Sequence, residues 1–423
     1  MTAPPPDTAT DCGCPEFSRL SRRGLLRASL AAGLATSTTA AFGTAFVETS
    51  YAATRSAPAV LVVLSMRGAV DGMSLVVPHG DPVYYAARPD IAVPAAQLLA
   101  KDGFFGLHPH LAPLLPLWDA GRMAAVHATG LPAPNRSHFS AMEEIEDAAP
   151  GSSTRTGWLN RLIGRDSYAS PLQAVQIGSA TPPTALSGPA ATVALERISE
   201  LRLSGVDEWD VGGRRTRSMT TTWSGVGGPL GAGARAAMTA INDFGPVKQT
   251  PTTPANGASY PRGDFGDAMA AAARTIRGDV GAEVITVDFG SWDHHVNLGP
   301  LAWGSMQEMT TELAGVLAAF FTDLGSLASK VTVVALSEFG RRTKQNASYG
   351  LDHGWGNAML LLGAGVNGGY HGTWPGLVND VNGDLTVTTD YRSVLAEVVT
   401  KRLDASSATV FPGFTPEAVG VMA

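Results

Sequence analysis

The chain has 423 residues, with 30 Lys and Arg against 37 Asp and Glu, a formal net charge of −7, and 44% hydrophobic residues. An acidic body without runs of Lys or Arg is poorly suited to nucleic acid or to an anionic membrane surface. The cysteines are Cys12 and Cys14 alone, ahead of a predicted cleavage point, so the mature protein is expected to hold no disulfide, thiolate ligand or cysteine nucleophile.

Ser21-Arg22-Arg23-Gly24-Leu25-Leu26-Arg27 places a twin arginine before an Ala/Gly/Leu-rich stretch that runs to about Val47. Arg27 interrupts that stretch and Ser and Thr dilute it, which leaves it too weakly apolar for a stable membrane span. Ser50-Tyr51-Ala52 suits signal-peptidase cleavage. Residues 1–53 therefore read as a twin-arginine signal peptide, which implies Tat-dependent export to the periplasm or beyond as a folded protein. Residues 54–423 then form one domain with no integral membrane span.

The first predicted strand is Ala59–Leu64, a continuous apolar run of the kind buried on both faces of a parallel sheet. Comparable runs follow at Met123–His127, Ala174–Ile177, Val284–Val287, Val331–Leu336 and Ala358–Leu362. Helical patterns separate several of them. The clearest spans 305–328, with Met306, Met309, Leu313, Val316, Leu317, Phe320, Leu324 and Leu327 on one face. The expected fold class is α/β, a largely parallel central sheet with helices on both faces. Residues 180–230 look like an insertion or cap, with a helix-like piece at about 191–203, and the proline-rich stretch 245–263 like a mobile loop.

Acid and histidine clusters stand at or just past the ends of these strands, where open α/β sheets bind ligands. Asp71 follows the first strand in a turn flanked by Gly68 and Gly72, where it could take a metal or serve as an Asx-turn or cap. Ser137 opens a predicted helix over His138–Asp147; it is either a hydroxyl nucleophile favoured by the helix N-terminus or an ordinary N-cap. His138 is its chain neighbour, and adjacent side chains diverge, so the two make a poor nucleophile–base pair. The densest cluster runs from Asp288 to His295, with Asp293 and His295 able to share one side of an extended segment. Glu338 could take a metal or orient Arg341 or Arg342, and an arginine there could clamp an anion. His353 lies in a loop that can reach the same crevice, whereas His108 and His110 suit a structural role at a helix start.

These motifs in combination resemble bacterial exported proteins grouped as domain of unknown function 1501: Arg67-Gly68-x-x-Asp71-Gly72, Arg136-Ser137-His138-Phe139, Gly157-Trp158-Leu159, Trp292-Asp293-x-His295, Ser337-Glu338-Phe339-Gly340-Arg341 and Asp352-His353-Gly354. The resemblance covers nearly the whole mature chain. It implies the alkaline-phosphatase-like fold shared with sulfatases, and hydrolysis of a phosphate or sulfate ester, on a small molecule or a polysaccharide. It also implies a divalent metal (Zn, Mn, Mg or Ca) on some of Asp71, Asp288, Asp293, His295, Glu338 and His353. Ser137 would be the nucleophile and Arg136 or Arg341 would hold the ester's oxygens. One departure stands out: Phe339 occupies the place of an expected histidine ligand. The alternative is a non-catalytic envelope protein that binds a glycan or a partner on the same fold. No Gly-x-Gly-x-x-Gly follows a strand to suggest a redox enzyme.

Overall fold

The computed structural model describes residues 56–153, 155–165, 170–203 and 213–423; the expected signal segment, with Cys12 and Cys14, lies outside them. The strands are β1 (Val60–Ser65), β2 (Val76–Val77), β3 (Gly106–Leu107), β4 (Met123–Gly130), β5 (Ala174–Ile177), β6 (Val193–Leu195), β7 (Val284–Asp288), β8 (Val331–Leu336), β9 (Asn357–Gly363), β10 (Gly369–His371) and β11 (Thr389–Asp390). Nine of them form one sheet in the order β10-β4-β9-β8-β1-β7-β5-β6, with β11 also paired to β4, and β2 and β3 make a separate ribbon.

β1 sits at the centre, parallel to β7 on one side and β8 on the other. Its unbroken apolar sequence follows from that position, because both faces are covered. Val60, Val62 and Leu64 enter one core with Leu313, Leu317 and Phe320 of the helix Ser305–Leu324. Leu61 and Val63 enter the other, with Ile145 and with Val394, Leu395 and Val398 of the helix Tyr391–Leu403. Each such buried side chain contributes roughly 1.5–3 kcal/mol. The segment Ser305–Lys330 is long and apolar enough to cross a membrane, yet more than half of its most apolar 18-residue window is buried inside this fold.

One strand runs against the rest. β9 is antiparallel to both β8 and β4. No helix separates β8 from β9, and a strand that returns beside its predecessor without a crossover must reverse direction. That reversal decides where the functional groups lie. It brings the start of β9, and the loop before it, back to the edge where β1, β4, β7 and β8 end.

Two stretches differ from their sequence pattern. The piece at 191–203 forms β6 and a short 3-10 turn, Ile198–Glu200, rather than a helix. Val193 and Leu195 are buried beside β5, and pairing at the sheet edge outweighs so short a helical signal. The proline-rich stretch 245–263 is anchored on the buried carboxylate of Asp323. Asp323 accepts from the Ala255 amide at 2.6 Å and the Tyr260 hydroxyl at 3.1 Å, and Arg277 lies 3.3 Å away. Asp323→Ala would strand these partners, and is expected to lower unfolding free energy by about 3 kcal/mol and to open 250–263 to protease. Unchanged denaturant midpoint and cleavage would show that Asp323 does not anchor this stretch.

Candidate functional site

The loops after β1, β7 and β8 close on one another before any functional group is placed. Gly68 has φ +107, and a Cβ there would stand 2.7 Å from the Asp293 backbone nitrogen, so only glycine allows the first two loops to touch. Arg341, 1% exposed, then ties the loops together. Its guanidinium donates to the carbonyls of Gly68 (2.5 Å), Ala69 (2.6 Å), Trp292 (3.1 Å) and Leu351 (3.1 Å). It also donates to the Asp293 carboxylate at 2.7 Å. Burial alone would raise the Asp293 carboxyl, but the Arg341 hydrogen bond and charge, with His295 and His138 nearby, bring it down to about 2.

Around Asp293 stand three imidazoles. His353 Nε2 lies 3.0 Å from His138 Nε2 and 2.9 Å from His295 Nε2. Asp293 Oδ1 is 3.5, 3.2 and 3.4 Å from the Nε2 atoms of His138, His295 and His353. The ligand atoms of His138, Asp293 and His353 all lie within 4.8 Å of one another, a spacing that could hold a metal ion. His295 Nε2 meets the same Asp293 oxygen and His353 Nε2.

The opposite nitrogen of each ring is committed elsewhere. His138 Nδ1 meets Glu338 Oε1 at 2.8 Å, His295 Nδ1 meets Asp352 Oδ1 at 2.9 Å, and His353 Nδ1 meets the Arg136 carbonyl at 2.9 Å. A carbonyl and carboxylates can only accept, so each Nδ1 donates and each Nε2 is the nitrogen turned toward the cluster. The Glu338 carboxylate also accepts from the Gly68 amide at 2.9 Å and the Ser337 hydroxyl at 2.8 Å. The His295 hydrogen bond draws the Asp352 carboxyl below its ordinary value, and burial lowers His353. Ring nitrogens and a carboxylate oxygen packed this closely at His138, Asp293 and His353 favour positive charge between them. An N–H held by a carboxylate or carbonyl behind the ligating nitrogen is the usual arrangement of metal-bound histidine. The donor set therefore fits a borderline divalent cation.

The sequence-predicted residues divide at this point. Asp293, His295 and His353 converge in the cluster, and Glu338 stands behind His138. Asp71 does not join it: buried, it makes a two-pronged ion pair with Arg88 at 2.5 and 3.0 Å and accepts from Ser74. Asp288 pairs with Arg67 at 2.9 Å, away from the cluster. Ser137 is exposed at the N-terminus of the helix His138–Asp147 and makes no capping hydrogen bond. Arg136 pairs with Asp384, and Arg341 spends its donors on the loops. His294 turns inward, with Nε2 3.3 Å from the Met309 sulfur, and burial lowers it to about 4. His108 caps the turn Pro109–Leu114 by accepting from the His110 amide.

His138 and Asp352 are the residues that motif reading passed over. Testing His138 only as a base for Ser137 hid its other partner, Glu338, which is 200 positions away in the chain. Phe339 packs its ring 4.9 Å from His138 and 5.0 Å from His353, between the loops that follow β4 and β8. A cleft of about 460 Å³ opens beside the cluster, lined by His138, Asp293 and Glu338 together with Arg67, Phe139 and Met142.

The model of the family described as "Protein of unknown function (DUF1501)" matches residues 121–396. No curated protein matches the chain. Among solved structures, the crystal structure of the phosphonate monoester hydrolase of Agrobacterium radiobacter shares 10% identity at a TM-score of 0.30, over 85% of this chain and 78% of that one.

Asp71 and His138 give opposite expectations. Asp71→Asn should destabilise the protein by about 3–5 kcal/mol, as breaking a buried pair does, while the folded fraction keeps its full metal content. His138→Ala should lose metal at a smaller cost in stability. Metal loss in a normally stable Asp71→Asn protein, by elemental analysis and denaturant titration, would make Asp71 a ligand instead.

Proposed function

The chain belongs to the DUF1501 family, and for this member we propose an exported, metal-dependent hydrolase of a phosphate or sulfate ester on an alkaline-phosphatase-like scaffold. The observation that carries the reading is the inward set of His138, His295 and His353 Nε2 atoms around Asp293, each ring held from behind by an oxygen. His138, Asp293 and His353, with His295, would hold the ion. A divalent cation there supplies Lewis acidity and attraction for an anionic oxygen. Export through the Tat route rests on Arg22 and Arg23 ahead of the apolar stretch.

The chain's own residues supply the rest. Glu338 and Asp352 fix the ring orientations of His138 and His295. Arg341 keeps Asp293 ionised and in place. The nucleophile we assign is Ser137, which directly precedes His138, is exposed and makes no capping hydrogen bond at the start of a ten-residue helix. Amides at such a terminus favour an anionic oxygen. Ser137 Oγ would displace the alcohol from phosphorus or sulfur, and water would then release the acid and free the serine.

A second reading has one specific observation in its favour. Arg136 is paired with Asp384 and Arg341 with the loops, so neither expected ester clamp is free. A non-catalytic envelope protein that binds a glycan or a partner would need no such clamp.

Protein purified from the periplasm should carry bound divalent metal, and chelation should lower its melting temperature. Turnover of 4-nitrophenyl phosphate or sulfate should fall by roughly a thousandfold or more in Ser137→Ala, with metal content unchanged. Full activity in that variant removes Ser137 as nucleophile; metal with no turnover of any ester favours the binding protein. Protons compete with metal for imidazole. Burial keeps His353 below its ordinary value and so neutral at pH 7, and Asp293 stays ionised. Metal occupancy should therefore hold at neutral pH and fall once the pH drops below about 6. Occupancy that rises on acidification would contradict a histidine site.

A further inference from the structure

Phe139 is 87% exposed, the highest value among the described large hydrophobic residues. It directly follows His138, on the first turn of the helix His138–Asp147, and it lines the cleft beside the metal cluster. A phenyl ring left in water forgoes the stabilisation that burial brings, and here the ring borders the histidine cluster. Met142 lies one turn further along, four residues after His138, so His138 and Met142 share a helix face and both reach the cleft. Met142 also lines a narrower recess behind the cleft, walled by Val63, Ile145, Trp158 and Leu336. The cleft's volume of about 460 Å³ is in the range of small-molecule sites.

The charges restrict what can enter. Glu143, Glu146, Asp293 and Glu338 line the cleft against the single guanidinium of Arg67. Arg67 is already shared between Glu146 at 2.7 Å and Asp288 at 2.9 Å. A substrate with further negative charge on its non-reacting part would meet these carboxylates without a free cation to offset them. An uncharged, flat apolar group would cover Phe139 and Met142 and meet no such penalty. The thioether and the ring edge both favour an aromatic face.

We propose that this cleft is an aryl subsite: the ester's alcohol portion is an uncharged aromatic ring stacked on Phe139 and Met142, with the ester group at the metal cluster. The assignment of the ester group rests on the hydrolase reading; the aromatic subsite rests on the cleft itself. The test is equilibrium binding to the metal-loaded protein, with phenylphosphonate and methylphosphonate as probes, in the natural protein and in Phe139→Ala. Phe139 is exposed and its removal leaves no cavity, so folding and metal content should not change. Phenylphosphonate should bind at least about tenfold more tightly than methylphosphonate, a difference of 1.4 kcal/mol, and Phe139→Ala should erase that preference while methylphosphonate affinity stays the same. Equal affinities in the natural protein, or a preference that survives in Phe139→Ala, overturn the subsite. If neither phosphonate binds, the ester reading fails, and 4-methylphenol decides the subsite alone: binding lost in Phe139→Ala supports it, and no binding to the natural protein overturns it.

Discussion

A single buried guanidinium holds the functional edge of this protein together. Arg341 contacts the loop after β1 through Gly68 and Ala69, the loop after β7 through Trp292 and Asp293, and the segment before β9 through Leu351. Buried charge is expensive unless its hydrogen bonds are met, and here carbonyls and one carboxylate meet them. Arginine suits the task because its donors are rigidly splayed and always charged. The same contact that closes the loops keeps Asp293 ionised, so architecture and chemistry share one side chain.

The reversed strand β9 is the second constraint. With β9 antiparallel, the loop between β8 and β9 begins and ends at the same sheet edge, and Glu338, Arg341, Asp352 and His353 return to the ends of β1, β4 and β7. A crossover to a parallel strand would have carried His353 to the opposite edge. Holding the three imidazoles by Nδ1 turns their Nε2 atoms inward, toward Asp293. The site is thus assembled from four separate strand ends, and its rigidity comes from hydrogen bonds behind the ligands.

Much of the scaffold was legible in the chain. The apolar runs at 59–64, 174–177, 284–287 and 331–336 fall on β1, β5, β7 and β8, because a strand buried on both faces has no polar face to obscure it. Short strands at or beside the sheet margins, β6, β10 and β11, were not legible, since two or three residues carry no period. At the site, Asp293, His295 and His353 could be picked out from density of ligand-type side chains after a strand. Asp71 shows the limit of that method: the turn after β1 looks the same whether its aspartate faces a cation or a buried Arg88, and only the fold brings Arg88 there. His138 shows the converse, a functional ring whose partners Glu338 and His353 are 200 and 215 positions distant.

The central claim is that His138, His295, His353 and Asp293 face one cation through Nε2 and carboxylate oxygen. X-ray absorption at the metal edge of the loaded protein tests it most directly. A first shell of nitrogen and oxygen near 2.0–2.2 Å, with the outer-shell scattering of two or three imidazole rings, is the result this arrangement requires. A shell of oxygen alone, with no imidazole scattering, would contradict it.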